Sequence, residues 1–320
     1  MKRIHLSILI SLLVLSVISC SKQAGPKSNV PTVAFVTNNV SNFWTIARAG
    51  VEAGEKDFKV KCEFREPAQG TPAEQKQIIE DLIVKGVTGI AVSPIDPANQ
   101  TDMLDTAAAS VNLICMDSDA PKSKRVCYVG TDNYKAGLAA GDEIKKALPD
   151  GGKVVLFVGT LDAQNATDRR KGILDAVKGS KVQVVDTLTD KVDHTKAKSN
   201  VEDAMVKIPD VAGFMGLWSY NGPAIAEAVK SSGKVGKIKI VCFDEDVATL
   251  QAVKDGVVFS TVVQKPYRFG YESMRILGAL ARKEDAKIPA NKIVDTGVLV
   301  VNTANVDSFW ADLKEMTEKN

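Results

Sequence analysis

Asn112 to Asp119 reads NLICMDSD, and Lys239 to Asp246 reads KIVCFDED. Both pass through an apolar, β-branched run into Cys-x-Asp-x-Asp. A run of this kind and length predicts a buried strand of a parallel sheet, and in open parallel sheets ligands bind outside the carboxyl ends of the strands. Asp117 and Asp244 stand at those ends. The two copies lie 127 residues apart, which predicts two similar halves, each offering a carboxylate to one shared cleft. Strand-end aspartates also serve as turn residues and helix N-caps, so the flanking sequence has to decide between these roles.

On either side, β-branched runs alternate with amphipathic ones. TVAFVT (32–37) precedes a predicted helix over 42–57, VKCEFR (60–65) one over 72–85, and VTGIAV (87–92) one over 99–110. VNLICM (111–116) and a short RVCYVG (125–130) complete one half, and Asn133 opens a further helix. KVVLFVG (153–159) restarts the rhythm with helices over 164–178, 195–207 and 221–232, separated by KVQVVDTL (181–188) and VAGFMGL (211–217), before the second twin stretch. VVFSTVV (257–263), a helix from Pro266 to Arg282 and a late strand IVDTGVLVV (293–301) follow. The βαβα order with short links predicts an α/β protein of two doubly wound parallel-sheet lobes. One lobe is expected from residues 32–131 plus 265–293 and the other from 132–264 plus 294–320. Crossings at Gly130 to Asn133, Val263 to Pro266 and near Asp295 would make a multi-strand hinge.

Lys2 and Arg3 precede an apolar stretch from Ile4 to Ile18 that Ser19, Cys20, Ser21 and Lys22 break. The stretch is shorter than the roughly 20 residues of a spanning helix, and its flanks fit a signal peptide over residues 1–19. Val17-Ile18-Ser19-Cys20 has the form of a lipoprotein box, in which Cys20 receives lipid, and residues 20–31 have the polar, Gly/Pro/Ser character of a tether. The expectation is an exported protein, periplasmic or at the cell surface, held to the membrane by lipid alone. Losing residues 1–19 removes Lys2 and Arg3 and no acid, so the formal charge falls from +2 to zero, and nothing suggests nucleic acid. With 45% hydrophobic residues and roughly 300 residues remaining, the chain can bury two cores. Cys62, Cys115, Cys127 and Cys242 each sit in an apolar run, which predicts buried free thiols. No Cys-x-x-Cys occurs and His194 is the one histidine left, so no metal is expected.

VAFVTNN followed by NFW (33–44), IIEDLIVKGVTGIAVSPIDP (78–97), ICMDSDA (114–120), YVGTDNYKAG (128–137), NATDRRKGI (165–173), IVCFDED (240–246) and VVQKP (262–266) together resemble the type I periplasmic binding proteins. The resemblance is to their ribose- and galactose-binding group, which delivers sugars to ABC transporters, and it spans about residues 32–300. It implies a module whose two lobes close over one small ligand, with strand-end aspartates, stacked aromatics, an arginine, an asparagine and a glutamine in the cleft. On this pattern Asp117 and Asp244 are the strand-end acids, Arg169 is the arginine with Arg170 as its rival, and Gln264 is the hinge-side glutamine. Ribose binders often follow the first aspartate with an arginine. Here Ser118 stands in that place, which puts ribose itself in doubt.

The residues carry the same chemistry on their own terms. Ionised carboxylates accept charge-assisted hydrogen bonds from vicinal hydroxyls, so Asp117 and Asp244 head the candidate ligand-binding set. Phe43 and Trp44 open the first helix at the mouth of the expected cleft, where flat rings pack on sugar C–H faces; one ring is expected in the core and Trp44 is the favoured contact. The preceding loop holds Thr37, Asn38, Asn39 and Ser41, of which Asn39 and Ser41 join the set as groups that both donate and accept. Asn165 shares a helix face with Arg169. In GLWSYNGPA (216–224), Trp218 or Tyr220 would close a sandwich opposite Trp44, and Asn221 either contacts hydroxyls or caps the following helix. Asp119, Asp132 and Asp246 are expected as turn, cap or hinge residues.

The expected function is capture of a monosaccharide or sugar alcohol for an ABC permease by lobe closure, by a monomer that performs no chemistry and needs no cofactor. Two carboxylates would repel a sugar phosphate, which favours neutral ligands. Two carboxylates facing a sugar are also the minimal equipment of a glycosidase, so an enzyme using Asp117 and Asp244 is one alternative. An acid catalyst needs a carboxyl whose pKa is raised by an apolar setting, and both candidates sit in polar clusters. The other alternative is a sensory binder that presents sugar to a receptor. A lac-type repressor would need a DNA-binding headpiece where this chain has its apolar stretch.

Overall fold

The computed structural model describes residues 30–318. The expected signal segment, Cys20 and the tether up to residue 29 lie outside the described residues. The chain builds β1 (Thr32–Val36), α1 (Asn42–Phe58), β2 (Lys61–Arg65), α2 (Pro72–Val84), β3 (Gly89–Val92), α3 (Pro97–Ser110), β4 (Asn112–Met116) and β5 (Tyr128–Gly130). It continues through α4 (Asn133–Ala147), β6 (Gly152–Val158), α5 (Gln164–Val177), β7 (Val182–Thr189), α6 (His194–Lys207), β8 (Val211–Gly216), α7 (Asn221–Ser231), β9 (Lys239–Phe243), α8 (Val247–Lys254) and β10 (Ser260–Val263). The last elements are α9 (Pro266–Ala281), β11 (Ile293–Asp295), β12 (Leu299–Asn302) and α10 (Val306–Glu318).

Two six-stranded sheets result, in the orders β11-β5-β4-β3-β1-β2 and β12-β10-β9-β8-β6-β7. Pairing is parallel throughout except between β10 and β12. Apolar clusters cover both faces of each sheet, which is why the strands read as continuous hydrophobic runs rather than alternating ones. Helix starts follow local chemistry: Thr71, Asp96, Asp132, Asp193 and Asp246 accept backbone N–H bonds as N-caps, and Pro72, Pro97 and Pro266 lie in the first turn. Helices α1 and α9 touch where a Cβ on Gly50 would stand 1.9 Å from the Tyr267 carbonyl oxygen, so glycine sets that approach.

The chain passes between the sheets at three places, after β5, after β10 and after β11. The last passage corrects two expectations. The run 293–301 is not one strand: Ile293–Asp295 pairs with β5 in the first sheet, the chain turns through Gly297 at φ 72°, and Leu299–Asn302 joins the second sheet. The first lobe's sheet therefore extends to Asp295 rather than ending at 293. Helices α8 and α10 lie in stretches for which the sequence pattern predicted no element. Cys62, Cys115, Cys127 and Cys242 are free; Cys115 and Cys127 are neighbours across β4 and β5 but belong to clusters on opposite faces of the sheet. Among the described residues no helix is long and apolar enough to cross a membrane.

Candidate functional site

Asp117 and Asp244 each follow the last residue of a central strand, β4 and β9, and both adopt left-handed backbone, φ 60° and 68°. Aspartate tolerates that region better than most residues. The turn is held from below: Asp117 N–H donates to Val129 O and Asp244 N–H to Val262 O, while Tyr128 Oη donates to Asp117 O and Thr261 Oγ1 donates to Asp244 O. Both carboxyls are consequently fixed at the mouth between the sheets, each 3% exposed.

A cavity with about 320 Å³ of atom-free space, part of it open to solvent, lies between them. Eleven of the twelve ligand-binding candidates line it: Asn39, Ser41, Phe43, Trp44, Asp117, Asn165, Arg169, Trp218, Tyr220, Asp244 and Gln264. Asn38 and Ser219 also line it and were not selected from the sequence. Asn38 sits in the polar loop already noted, and Ser219 lies between two chosen aromatics, so position was a signal for both.

Asn221 is the exception. Its Oδ1 accepts from Trp218 N–H at 3.0 Å and its Nδ2 donates to Asp190 Oδ2 at 3.1 Å. It neither reaches the cavity nor serves as the N-cap of α7, whose cap position is Tyr220. It ties the Trp218–Tyr220 loop to Asp190, which also accepts from Tyr220 Oη at 2.6 Å.

Arg169 rather than Arg170 enters the site. It is 1% exposed, its Nε donates to Asn133 Oδ1 at 2.9 Å, its Nη1 donates to Leu217 O at 2.5 Å, and its guanidinium lies 4.4 Å over the Phe243 ring. Nη1 is 3.8 Å from Asp244 Oδ2. Arg170 turns outward to Thr187 Oγ1. Asn165 spans the cleft, donating to Asp117 Oδ2 at 3.2 Å and accepting from Trp218 Nε1 at 3.3 Å. Ser93 Oγ donates to the same Asp117 oxygen at 2.7 Å, and Gln264 Nε2 donates to Asp244 Oδ1 at 2.8 Å. Trp44 is anchored through Nε1 to Asn39 Oδ1 at 3.2 Å and meets Phe43 edge-on at 4.9 Å. Trp218 fits because residue 159 is glycine, where a Cβ would stand 2.1 Å from the indole.

Burial raises the pKa of both site carboxyls, that of Asp117 to about 6, with the Arg169 charge pulling the other way in each case. The polar clusters around them do not keep them in the ordinary range, contrary to the expectation from sequence; removal from water outweighs the hydrogen bonds. Three buried polar atoms on the cavity wall have no partner: Asn38 Oδ1, Arg169 Nη2 and Gln264 Oε1. Each unmet buried group costs about 1–3 kcal/mol, and together they ask for a ligand that donates and accepts at several points. Among the described residues no group of three or more His, Cys, Asp or Glu side chains is placed to hold a metal.

A family model for the periplasmic binding protein domain matches residues 33–285. The chain is 26% identical to a ribose import binding protein of Salmonella typhimurium over 73% of this chain and 78% of the relative. It is 27% identical to a D-allose-binding periplasmic protein of Escherichia coli over 81% and 87%. Among solved structures, an ABC transporter solute binding protein of Burkholderia graminis in complex with D-arabinose superposes with a TM-score of 0.82 at 31% identity, covering 87% of this chain and 97% of that one. A carbohydrate transporter solute binding protein of Agrobacterium radiobacter, also with D-arabinose, gives 0.83 at 28% identity over 91% and 100%. These relatives are binding and transport proteins, not enzymes, and the chain belongs to the periplasmic binding proteins, in their type I sugar-binding group.

Proposed function

We propose that this protein captures a neutral monosaccharide or sugar alcohol between its lobes and hands it to the permease of an ABC importer. The observation that carries the reading is the set of unpartnered cavity atoms: a guanidinium N–H and two amide oxygens, beside two carboxylates. Hydroxyl groups donate and accept at once, so a polyol answers all of them, and the rings of Trp44, Phe43 and Trp218 supply flat apolar walls. Asp117 and Asp244 hold the hydroxyls, with Arg169, Asn165, Gln264, Asn38, Asn39, Ser41, Ser219 and Tyr220 completing the shell. One arginine between two carboxylates leaves no surplus positive charge for a phosphate.

Ser118 is buried behind Asp117 with its Oγ unpartnered, and Asn38 and Asn165 provide the donors on that side. This departure from the ribose pattern turns the expectation toward other pentoses, hexoses or polyols. Export, lipid attachment at Cys20, a monomeric state and the permease partner complete the proposal, supported by the N-terminal pattern and by the names of the relatives. A thermal-shift panel of pentoses, hexoses, polyols and sugar phosphates tests it. Ligand at about 100 times its Kd should stabilise by roughly 2.7 kcal/mol, and a panel in which no neutral sugar or polyol raises Tm would overturn it. Steady release of reducing ends from an oligosaccharide would reverse the choice of binder over glycosidase.

A further inference from the structure

Asp244 is followed by a second buried acid that the sugar cavity does not use. Glu245 is 3% exposed and neither carboxyl oxygen has a hydrogen-bond partner. It lines a separate cavity, behind Phe43 and Ser219, whose walls come from both lobes: Asn42, Thr45 and Ile46 of α1 on one side, Trp310 and Leu313 of α10 on the other. The lobes meet closely here. Ile46 packs with Phe309 and Trp310 against the core of the second lobe, and Asn42 Nδ2 donates to Asp246 Oδ2 at 3.4 Å. Glu245 thus lies at a seam that α1 of the first lobe covers.

The charges around it do not offset this burial. Asp244 and Asp246 flank it in the chain and oppose its ionisation, while Arg169 of α5 favours it but stands beside Asp244. From α10, Lys314 lines the same cavity, with its ammonium 5.5 Å over the Trp310 ring. The residues that α1 contributes are uncharged. Burial first, then the Asp244 charge, pushes the Glu245 carboxyl well above the usual range. An ionised carboxylate left buried and unpaired is strongly disfavoured, whereas the protonated acid loses only the hydrogen bonds it fails to make.

We propose that Glu245 makes lobe closure proton-linked: it is protonated when the lobes shut over it and ionised when they part, so closing takes up a proton and becomes less favourable as pH rises. With the open-state carboxyl near its ordinary value of about 4.3, the closing equilibrium falls by up to about tenfold per pH unit above that value, until the closed-state acid itself ionises. The link acts on the lobes whatever occupies the cleft. Its effect on sugar affinity rests on the proposed function.

Solution X-ray scattering of the ligand-free full chain, from about pH 5 to about pH 9, tests the link without a ligand. The wild-type radius of gyration should grow with pH, and Glu245→Gln, an uncharged isostere of the acid, should grow less over the same range, what remains coming from Asp117 and Asp244, which the two lobes also keep from water; melting followed by circular dichroism checks that the variant folds. With D-arabinose as the probe, titration calorimetry in two buffers of different ionisation heat should show about one proton fewer taken up by the variant near neutrality. A wild-type envelope indifferent to pH, or a variant that tracks the wild type, overturns the inference. Failure of every neutral sugar to bind would instead count against the ligand assignment, with the scattering comparison still deciding the proton link.

Discussion

Asp117→Asn should weaken sugar binding and stabilise the empty protein at the same time. Asparagine tolerates the left-handed backbone of this position, and its amide oxygen can still accept from Ser93, Asn165 and Asn38, the donors that converge on Oδ2. The other carboxyl oxygen becomes an NH2. The sugar loses a charge-assisted acceptor, worth about 1.5–3 kcal/mol, or roughly 10- to 150-fold in Kd. Stability moves the other way. Burial raises the Asp117 carboxyl from 3.8 to about 6, and a carboxyl that holds its proton more tightly folded than unfolded supports the fold below about pH 4 and loses that support as pH rises through about 6. The ionised side chain therefore costs the empty protein up to about 3 kcal/mol at neutral pH, which the amide avoids apart from its weaker hydrogen bonds. At about 2–4 °C per kcal/mol, the empty variant should melt several degrees above wild type at neutral pH, with the gap closing below about pH 4. Scanning calorimetry without ligand and isothermal titration with the sugars that bind wild type measure both halves. Unchanged affinity, or an empty variant less stable than wild type at neutral pH, would refute the reasoning.

Gly50→Ala should destabilise the first lobe by about 1–3 kcal/mol, since its Cβ would collide with the Tyr267 carbonyl; an unchanged denaturation midpoint would show that α1 and α9 can part at no cost. Gln264→Leu removes the donor to Asp244 Oδ1 and should weaken binding by about 1–3 kcal/mol while raising the Asp244 carboxyl further, readable as a shift in the pH dependence of Kd. The described cysteines should resist thiol reagents until the protein is unfolded, because burial pushes Cys127 up to about 11 and Cys242 to about 12; rapid labelling of the native lobes by mass spectrometry would contradict this.

Most of the site was legible because it is written in contiguous strings. The twin stretches carried both acids, and the four-residue spacing of Asn165 and Arg169 in one helix put them on one face. What failed depended on contacts distant in sequence. Asn221, at a strand end, reads in sequence as either a hydroxyl contact or a helix cap, yet its amide is taken up by Trp218 and by Asp190, 31 residues away. The carboxyl pKa values depend on exclusion of water by two lobes, which a count of polar neighbours along the chain does not register. The break at Gly297 is marked in the sequence by Asp295 and Gly297 within a β-branched run, and the change of sheet gives that interruption its meaning.

The twin endings use one backbone device for different ends. In both, the first aspartate takes left-handed φ, strain of a kind that persists where the surroundings over-determine it. The residue after it is buried without a hydrogen-bond partner in both lobes, as Ser118 Oγ and as the Glu245 carboxyl. The third positions diverge: Asp119 binds Arg125 within its own lobe, whereas Asp246 caps α8 and accepts from Asn42 across the cleft. Only the second ending therefore joins an ionisable middle residue to a contact between lobes. Glu245→Ser, which copies the first ending into the second, should weaken the pH response of closure while Asp244 and Asp246 keep their partners. If closure of that variant still followed pH as wild type does, the titrating group would have to be Asp117 or Asp244, and the asymmetry between the endings would have no bearing on the movement of the lobes.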